Sequence, residues 1–355
     1  RPGPVWIDVP LNIQGAMINE ESLGSFETKE NNFLSHNLKD FKNLLQNSKR
    51  PVVLAGNGVR LSSAEKDLLR FIETKNIPMV NTFLSADLIE SQHPLNVGRV
   101  GIKGNRAANF AMQNSDLLIV IGCRLAVAIT GFDYTLFARE SKIVVIDIDE
   151  NEHKKNTVKI DILIKSDAKQ FFNQVKEIPY KAPLSWSSKC KNWRNKWHIL
   201  YDHEINDDNG IGLYYFLKIL SDHNKTNAAI VSDAGSAYYV TSQALQLKEQ
   251  QRYITSGAQA DMGFTIPASI GVSLANKNGI VIGITGDGSF QMNIQELQTI
   301  VNYNLPIKIF VLNNGGYLSI RNTMDRFFDG RYFGTDESSG LKFPSVEKIA
   351  NAYGI

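Results

Sequence analysis

Asp287 stands between two glycines in Gly286-Asp287-Gly288-Ser289, and Asn314 closes the pair Asn313-Asn314 about 27 residues later. Each lies just past a short apolar run, Ile280 to Thr285 before the first and Ile307 to Leu312 before the second. A carboxylate and a carboxamide are hard oxygen donors, suited to Mg²⁺ or Ca²⁺ and unsuited to zinc. Mg²⁺ wants octahedral oxygens and usually takes phosphate and water for the remainder. Gly288 and Ser289 let backbone N–H groups approach that phosphate, and the helix start beyond them adds a favourable dipole. Singly, Asp287 and Asn314 read as turn residues with Asx hydrogen bonds. The order strand, GDGS, helix, strand, NN favours a Mg²⁺–diphosphate clamp.

Such a clamp needs two strands that end at one sheet edge. In open α/β sheets the carboxyl edge is where ligands bind, and a right-handed crossover sets successive strands side by side or nearly so. The intervening helix is expected from Asn293-Ile-Gln-Glu296, a capping-box pattern, with Ile294, Leu297, Ile300 and Val301 as its apolar stripe. Upstream, Ala228 to Ser232 reads as a strand, Asp233-Ala-Gly235 as its turn, and Tyr238 to Leu247 and Ile266 to Ala275 as helices, with Pro267 in a first turn. A similar alternation occupies the first half. Pro51 to Ala55, Ile77 to Val80, Leu117 to Ile121 and Ile143 to Asp147 are continuous apolar runs, as parallel strands buried on both faces require. Helices are expected near Leu38 to Gln46, after a capping box at Ser62-Ser-Ala-Glu65, and over Asn105 to Gln113. The fold class is α/β, with two doubly wound parallel-sheet domains.

The 355 residues suit two domains, and 43% hydrophobic with 21% charged residues is a globular composition. A formal charge of +2 gives no field for nucleic acid or a membrane surface. Two cysteines, Cys123 and Cys190, make no disulfide framework and point to a reducing cytoplasm. No apolar run is long enough to span a bilayer, and no signal-peptide core opens the chain. The sequence begins without Met, Val5 to Val9 reads as a buried strand, and Ala350 to Ile355 stops where another strand is due. The chain is therefore expected to be cut at both ends.

With these motifs in place, the spacing of Gly-Asp-Gly and Asn-Asn resembles the thiamine diphosphate signature. The wider match resembles the acetolactate synthase (acetohydroxyacid synthase) large-subunit family. It is carried by Gly286 to Leu297, Leu312 to Asn314, Ser256 to Pro267 and Arg1 to Pro10. That resemblance implies residues 1–15 as the tail of a pyrimidine-binding domain and 16–35 as a linker. A central domain at 36–178, a second linker at 179–199 and an incomplete thiamine diphosphate-binding domain at 200–355 follow. It implies Asp287, Asn314 and the Gly316 carbonyl as Mg²⁺ ligands. Gly235, Ser236, Gly286, Gly288 and Ser289 would form the diphosphate cradle, Met262 would prop the cofactor, and Tyr317 and Leu318 would join the site. The implied reaction is decarboxylation of pyruvate and transfer of the two-carbon unit to a 2-keto acid, within branched-chain amino acid biosynthesis. A homodimer or homotetramer in the full-length protein is also implied. The family's catalytic glutamate belongs to the pyrimidine domain, so this chain alone is expected to be inactive.

Several positions depart from the family pattern. Ser236-Ala237-Tyr238 replaces Gln-His-Gln, Thr323 replaces a tryptophan that shapes acceptor preference, and Asn322 to Tyr332 lacks the Gln-Trp-Gln pattern. These leave open a relative that transfers the two-carbon unit to a sugar or other carbonyl, or a non-catalytic cofactor-binding homologue. FAD in the central domain is equally open. Gly98 to Gly104 and Gly122 to Arg124 resemble flavin-contacting segments, but Lys103 replaces a histidine and Gly56-Asn-Gly58 is an incomplete G-x-G-x-x-G. Asp147 and Asp149 read either as ribose ligands or as strand-end caps. An NAD-dependent oxidoreductase is the reading from another class, and the broken glycine fingerprint weighs against it. Trp186, Trp193 and Trp197 read as packing, Cys123 as a small buried residue, and the six histidines show no metal spacing.

Overall fold

The computed structural model describes residues 5–27, 37–199, 210–224, 227–257, 259–276 and 279–355. The first four residues, positions 28–35 of the first expected linker, His36, His203 and the start of the second domain at 200–209 lie outside these.

Two parallel sheets organise the chain. The first comprises β1 (Pro51–Ala55), β2 (Met79–Asn81), β3 (Asn96–Arg99), β4 (Leu117–Ile121), β5 (Lys142–Asp147) and β6 (Ile162–Lys165), in the order β3-β2-β1-β4-β5-β6. The alternation of side chains along a strand explains why its apolar runs are continuous. Val53, Ala55, Leu117, Ile119 and Ile121 enter the core on one face, while Val52, Leu54, Leu118 and Val120 enter the core on the other. The strand order reverses between β1 and β4, and there the two following loops cross in backbone contact. Gly58 donates its N–H to the Gly122 carbonyl at 3.0 Å. A Cβ on Gly56 would lie 2.2 Å from that oxygen, and one on Gly58 would lie 2.6 Å from the Gly122 Cα. These glycines therefore serve the approach of one loop to the other.

The second sheet comprises β7 (Ala229–Ser232), β8 (Arg252–Thr255), β9 (Val281–Gly286) and β10 (Ile307–Leu312), in the order β10-β9-β7-β8. From β7 the chain crosses first to β8 on one side and then to β9 on the other. The carboxyl ends of β7 and β9 thus flank a switch point.

Buried polar groups join the two units. Asp87, on the first, accepts from the Arg252 guanidinium at 2.8 Å and the Tyr253 amide at 3.0 Å on the second, and pairs with Arg60 at its own end. Arg99 reaches the Gln243 and Leu245 carbonyls at 3.3 and 3.0 Å, and Asn105 also donates to Gln243 O.

Several local expectations are corrected. Val5 to Val9 forms no strand; Val5 and Trp6 are 82% and 94% exposed, because no strand among the described residues pairs with the segment and no core covers it. The Ser62–Glu65 capping box is not made: Ser62 turns back to the Val59 carbonyl, and helix Glu65–Lys75 starts after Ala64 without a side-chain cap. Within 179–199, where a linker with an amphipathic helix is expected, helix Leu184–Lys196 packs Trp186 into the first unit's core, with its indole N–H donating to Pro51 O at 2.9 Å. Trp193 meets Trp186 edge-on. Cys123 is buried, and desolvation pushes its thiol up to about 11. Asp147 and Asp149 accept from the Asp149 and Asn151 amides, as turn caps do. No helix among the described residues is long and apolar enough to cross a membrane, and no cluster of histidine, cysteine and carboxylate side chains there could hold a metal.

Candidate functional site

In β9 and β10, Gly286 and Leu312 are register partners, so the segments that follow leave the sheet side by side. Asp287 turns its carboxylate into the joint. Its Oδ1 accepts the Gly288 amide at 2.8 Å, and its Oδ2 accepts the Asn314 and Gly316 amides at 3.1 and 3.0 Å. The side chain is thus fixed by three backbone donors while buried. Oδ1 accepts only one of them, which leaves a lone pair for a cation. Gly316 must be glycine: its φ is +134°, and a Cβ would lie 2.0 Å from the Thr335 carbonyl. Arg321 ties the same loop from outside, donating to Asn314 O at 2.8 Å and Gly315 O at 3.1 Å. Asn314 itself is exposed, and Leu318 donates its N–H to Gly316 O at 3.0 Å as it opens helix Leu318–Phe327.

Gly288 lies under the Tyr317 ring; a Cβ there would come within 2.5 Å of the Tyr317 Cε1. Tyr317 in turn packs edge-on against Phe343. Across the switch point, Gly235 takes a φ of +58° and opens helix Gly235–Ala244, whose first turn has no side-chain cap. This helix begins three residues before the expected start at Tyr238, because the left-handed glycine turns the chain directly out of β7. The uncapped amides of Gly235 and Ser236 there suit an anion.

Asp233, completely buried at the end of β7, links these parts and is absent from the sequence-derived set. Its Oδ2 accepts the Thr285 hydroxyl at 2.8 Å and the Ser289 hydroxyl at 2.6 Å, and its Oδ1 accepts the Ala234 amide at 2.7 Å. Ser289 Oγ accepts the Gly263 amide at 2.7 Å, so one relay joins β7, β9, the start of helix Asp287–Phe290 and the turn carrying Met262. The signal was an aspartate immediately after an apolar strand, at the same carboxyl edge as Asp287. Met262 is 39% exposed on that turn.

The expected capping box at Asn293 is also corrected. Asn293 has non-helical backbone (φ −139°, ψ 36°), and its amide donates to Gly263 O at 2.8 Å. Glu296 instead accepts from Thr299. Asn293 is thus a second tether of the Met262 turn. Tyr238 does not face the clamp: it is buried, donates to Gly257 O at 3.1 Å and packs on Phe83, and burial raises its phenol above the ordinary range. Thr323 bonds back to Ser319 O within its own helix.

Two family models match the chain. Residues 38–175 match the thiamine pyrophosphate enzyme central domain, and residues 233–355 match the thiamine pyrophosphate enzyme C-terminal TPP binding domain. Relatives include the probable acetolactate synthase large subunits of Methanocaldococcus jannaschii and Methanococcus aeolicus, at 34% and 33% identity. The acetolactate synthase isozyme 2 large subunit of Escherichia coli is 30% identical. The alignments cover all of this chain, which spans about 62% of the archaeal relatives' length and 63% of the bacterial one. With both domain matches falling on the two parallel-sheet units, the chain belongs to the thiamine pyrophosphate enzymes.

Proposed function

We propose that the full-length protein decarboxylates pyruvate and transfers the two-carbon unit to a 2-keto acid, with thiamine diphosphate and Mg²⁺ held by the carboxyl ends of β7, β9 and β10. The observation that carries this reading is the Asp287 carboxylate, oriented by the amides of Gly288, Asn314 and Gly316. The donor set fits the metal: a carboxylate, the Asn314 amide oxygen and the Gly316 carbonyl are all hard oxygens. The uncapped start of helix Gly235–Ala244 fits a diphosphate. Bound there, thiamine diphosphate supplies the carbon nucleophile and electron sink that the chemistry requires.

The chain's own residues bind and orient. Asp287, Asn314 and Gly316 would hold the metal; Gly235, Ser236, Gly286, Gly288 and Ser289 would line the phosphates, with Tyr317 and Leu318 closing that wall. Met262, on a turn tethered through Ser289 and Asn293, would support the body of the cofactor. A cytoplasmic homodimer or homotetramer completes the reading; it is supported by similarity to acetolactate synthase large subunits and by two buried, unpaired cysteines.

The acceptor is a separate matter. Tyr238 is withdrawn into the core and Thr323 is small, which favours a roomier acceptor pocket and keeps a sugar or other carbonyl as the second reading. FAD in the first unit is a further part of the proposal, supported by the glycine-rich segments after β3 and β4. Flavin absorbance released on denaturing the full-length protein tests it, and a colourless protein removes it. The central test is acetolactate formation from pyruvate by the full-length protein with both cofactors. Cofactor binding without CO₂ release would leave a binding homologue, and preference for a sugar acceptor would select the second reading.

A further inference from the structure

Two opposite charges grip the Asn313–Gly316 loop. Asp287 Oδ2 accepts the amides of Asn314 and Gly316. Arg321, in the first turn of helix Leu318–Phe327, donates Nη2–H to the Asn314 carbonyl at 2.8 Å and Nη1–H to the Gly315 carbonyl at 3.1 Å. The peptide between Gly315 and Gly316 is thus held at both ends, its N–H on the carboxylate and its C=O on the guanidinium. In a trans peptide those two groups point in opposite directions, so the two charges lie on opposite sides of one plane.

Arg321 is anchored in turn. Its side chain is only 16% exposed, and Nη1 also donates to the Thr335 carbonyl at 3.4 Å and lies 3.8 Å from Asp336 Oδ2. Thr335 O takes the Tyr317 amide at 2.8 Å as well. Asp336 is itself fixed, since its Oδ1 accepts the Ser339 amide at 3.0 Å and the Ser338 and Ser339 hydroxyls at 2.7 and 2.8 Å. One guanidinium therefore ties the loop to a capped turn beyond its own helix.

The loop needs such a tie. Gly315 and Gly316 are successive glycines at φ +68° and +134°, and glycine loses more backbone freedom on ordering than any other residue. With the peptide before Gly316 locked, only the dihedrals of Gly316 decide where its carbonyl points. Mg²⁺ demands near-ideal octahedral oxygens at about 2.0–2.1 Å, whereas Ca²⁺ accepts irregular sets at about 2.3–2.6 Å. We propose that Arg321 is a positioning residue for the divalent cation, locking the Gly315–Gly316 peptide so that Asn314 and the Gly316 carbonyl are held for an ion as small as Mg²⁺. This rests on the metal site assigned above. Arg321 itself acts only through the loop, and lysine cannot replace it, because a single ammonium lacks the planar fork that spans two carbonyls.

The test is equilibrium dialysis of the full-length protein against Mg²⁺ or Ca²⁺ at a fixed excess of thiamine diphosphate. In Arg321→Lys, which keeps the charge and loses the fork, Mg²⁺ affinity should fall about tenfold or more, as loss of an outer-shell partner does. Ca²⁺ affinity should fall less than about threefold, because its geometry is forgiving. A merely structural role would lower both alike. Arg321→Gln should behave the same way and decides should the lysine variant fail to fold. Lys342→Gln, at an exposed site paired with Glu337, should change neither affinity. Equal losses for the two ions, or undiminished Mg²⁺ binding in the variants, would overturn the role of Arg321 alone. A parent protein that takes up neither ion would overturn the metal site and this role with it.

Discussion

Ser289 donates its hydroxyl proton to the carboxylate of Asp233 across 2.6 Å, deep under the candidate site. The same oxygen receives the Gly263 amide at 2.7 Å. Ser289→Ala would therefore remove one donor from a buried carboxylate and strand a buried N–H. A loss of about 1–3 kcal/mol is expected, the usual cost of an unsatisfied buried group. Urea unfolding measures it, and affinity for thiamine diphosphate should fall in parallel because the Met262 turn loses an anchor. An unchanged midpoint would contradict the relay.

Asp287→Ala tests the clamp directly. Wild-type protein should gain about 2.7 kcal/mol of stability at a cofactor concentration one hundred times the dissociation constant. That gain should require Mg²⁺ and vanish in the variant, as read by thermal melting with thiamine diphosphate. A shift that persists in the variant, or one equally large with NAD, would count against the assigned metal ligands.

Much of this site was legible in the sequence, and the reason is periodicity. Buried parallel strands leave continuous apolar runs, so β1, β4, β5, β7, β9 and β10 could be placed, and with them the residues at their carboxyl ends. Asp287 and the Asn314 segment meet as the motif implies. Cap chemistry was less legible, because Asn293 fits a capping-box pattern yet spends its amide on Gly263, 30 residues away. Short-range patterns cannot register such long-range partners. Asp233 escaped for a similar reason: a buried carboxylate with three donors looks, in sequence, like any turn aspartate.

Cys123 makes alkaline stability measurable. Its thiol is neutral in the folded chain up to about 11, against about 8.5 when unfolded. A raised acid contributes stability that is complete below the unfolded value. It is lost as pH climbs through the folded one, because the unfolded chain ionises first. Stability should therefore decline between about pH 8.5 and 11. Cys123→Ala should decline less over the same window, which denaturation at stepped pH would show. Parallel slopes for the two proteins would refute the assignment.

Asp87 makes a different prediction. Its side chain is buried and takes donors from both sheet units, Arg60 on one side and Arg252 with Tyr253 on the other. Asp87→Ala should cost about 1–3 kcal/mol, because the Tyr253 amide and the partly exposed Arg60 and Arg252 lose their acceptor. Calorimetry should show one unfolding transition for the parent and two for the variant. Retention of one sharp transition with little loss would mean that the apolar contacts alone couple the units.

The crossing of Gly58 with Gly122 bears on how such sequences are read and how they change. Two main chains meet there directly, with Gly58 N–H donating to Gly122 O at 3.0 Å. Glycines that look like a nucleotide fingerprint are here the tolerance of a mechanical joint. Replacing either would prise the halves of the sheet apart at their midline. Any drift at position 58 is thus forbidden unless position 122 yields backbone room at the same time, so the two loops can diverge in sequence only as a coordinated pair.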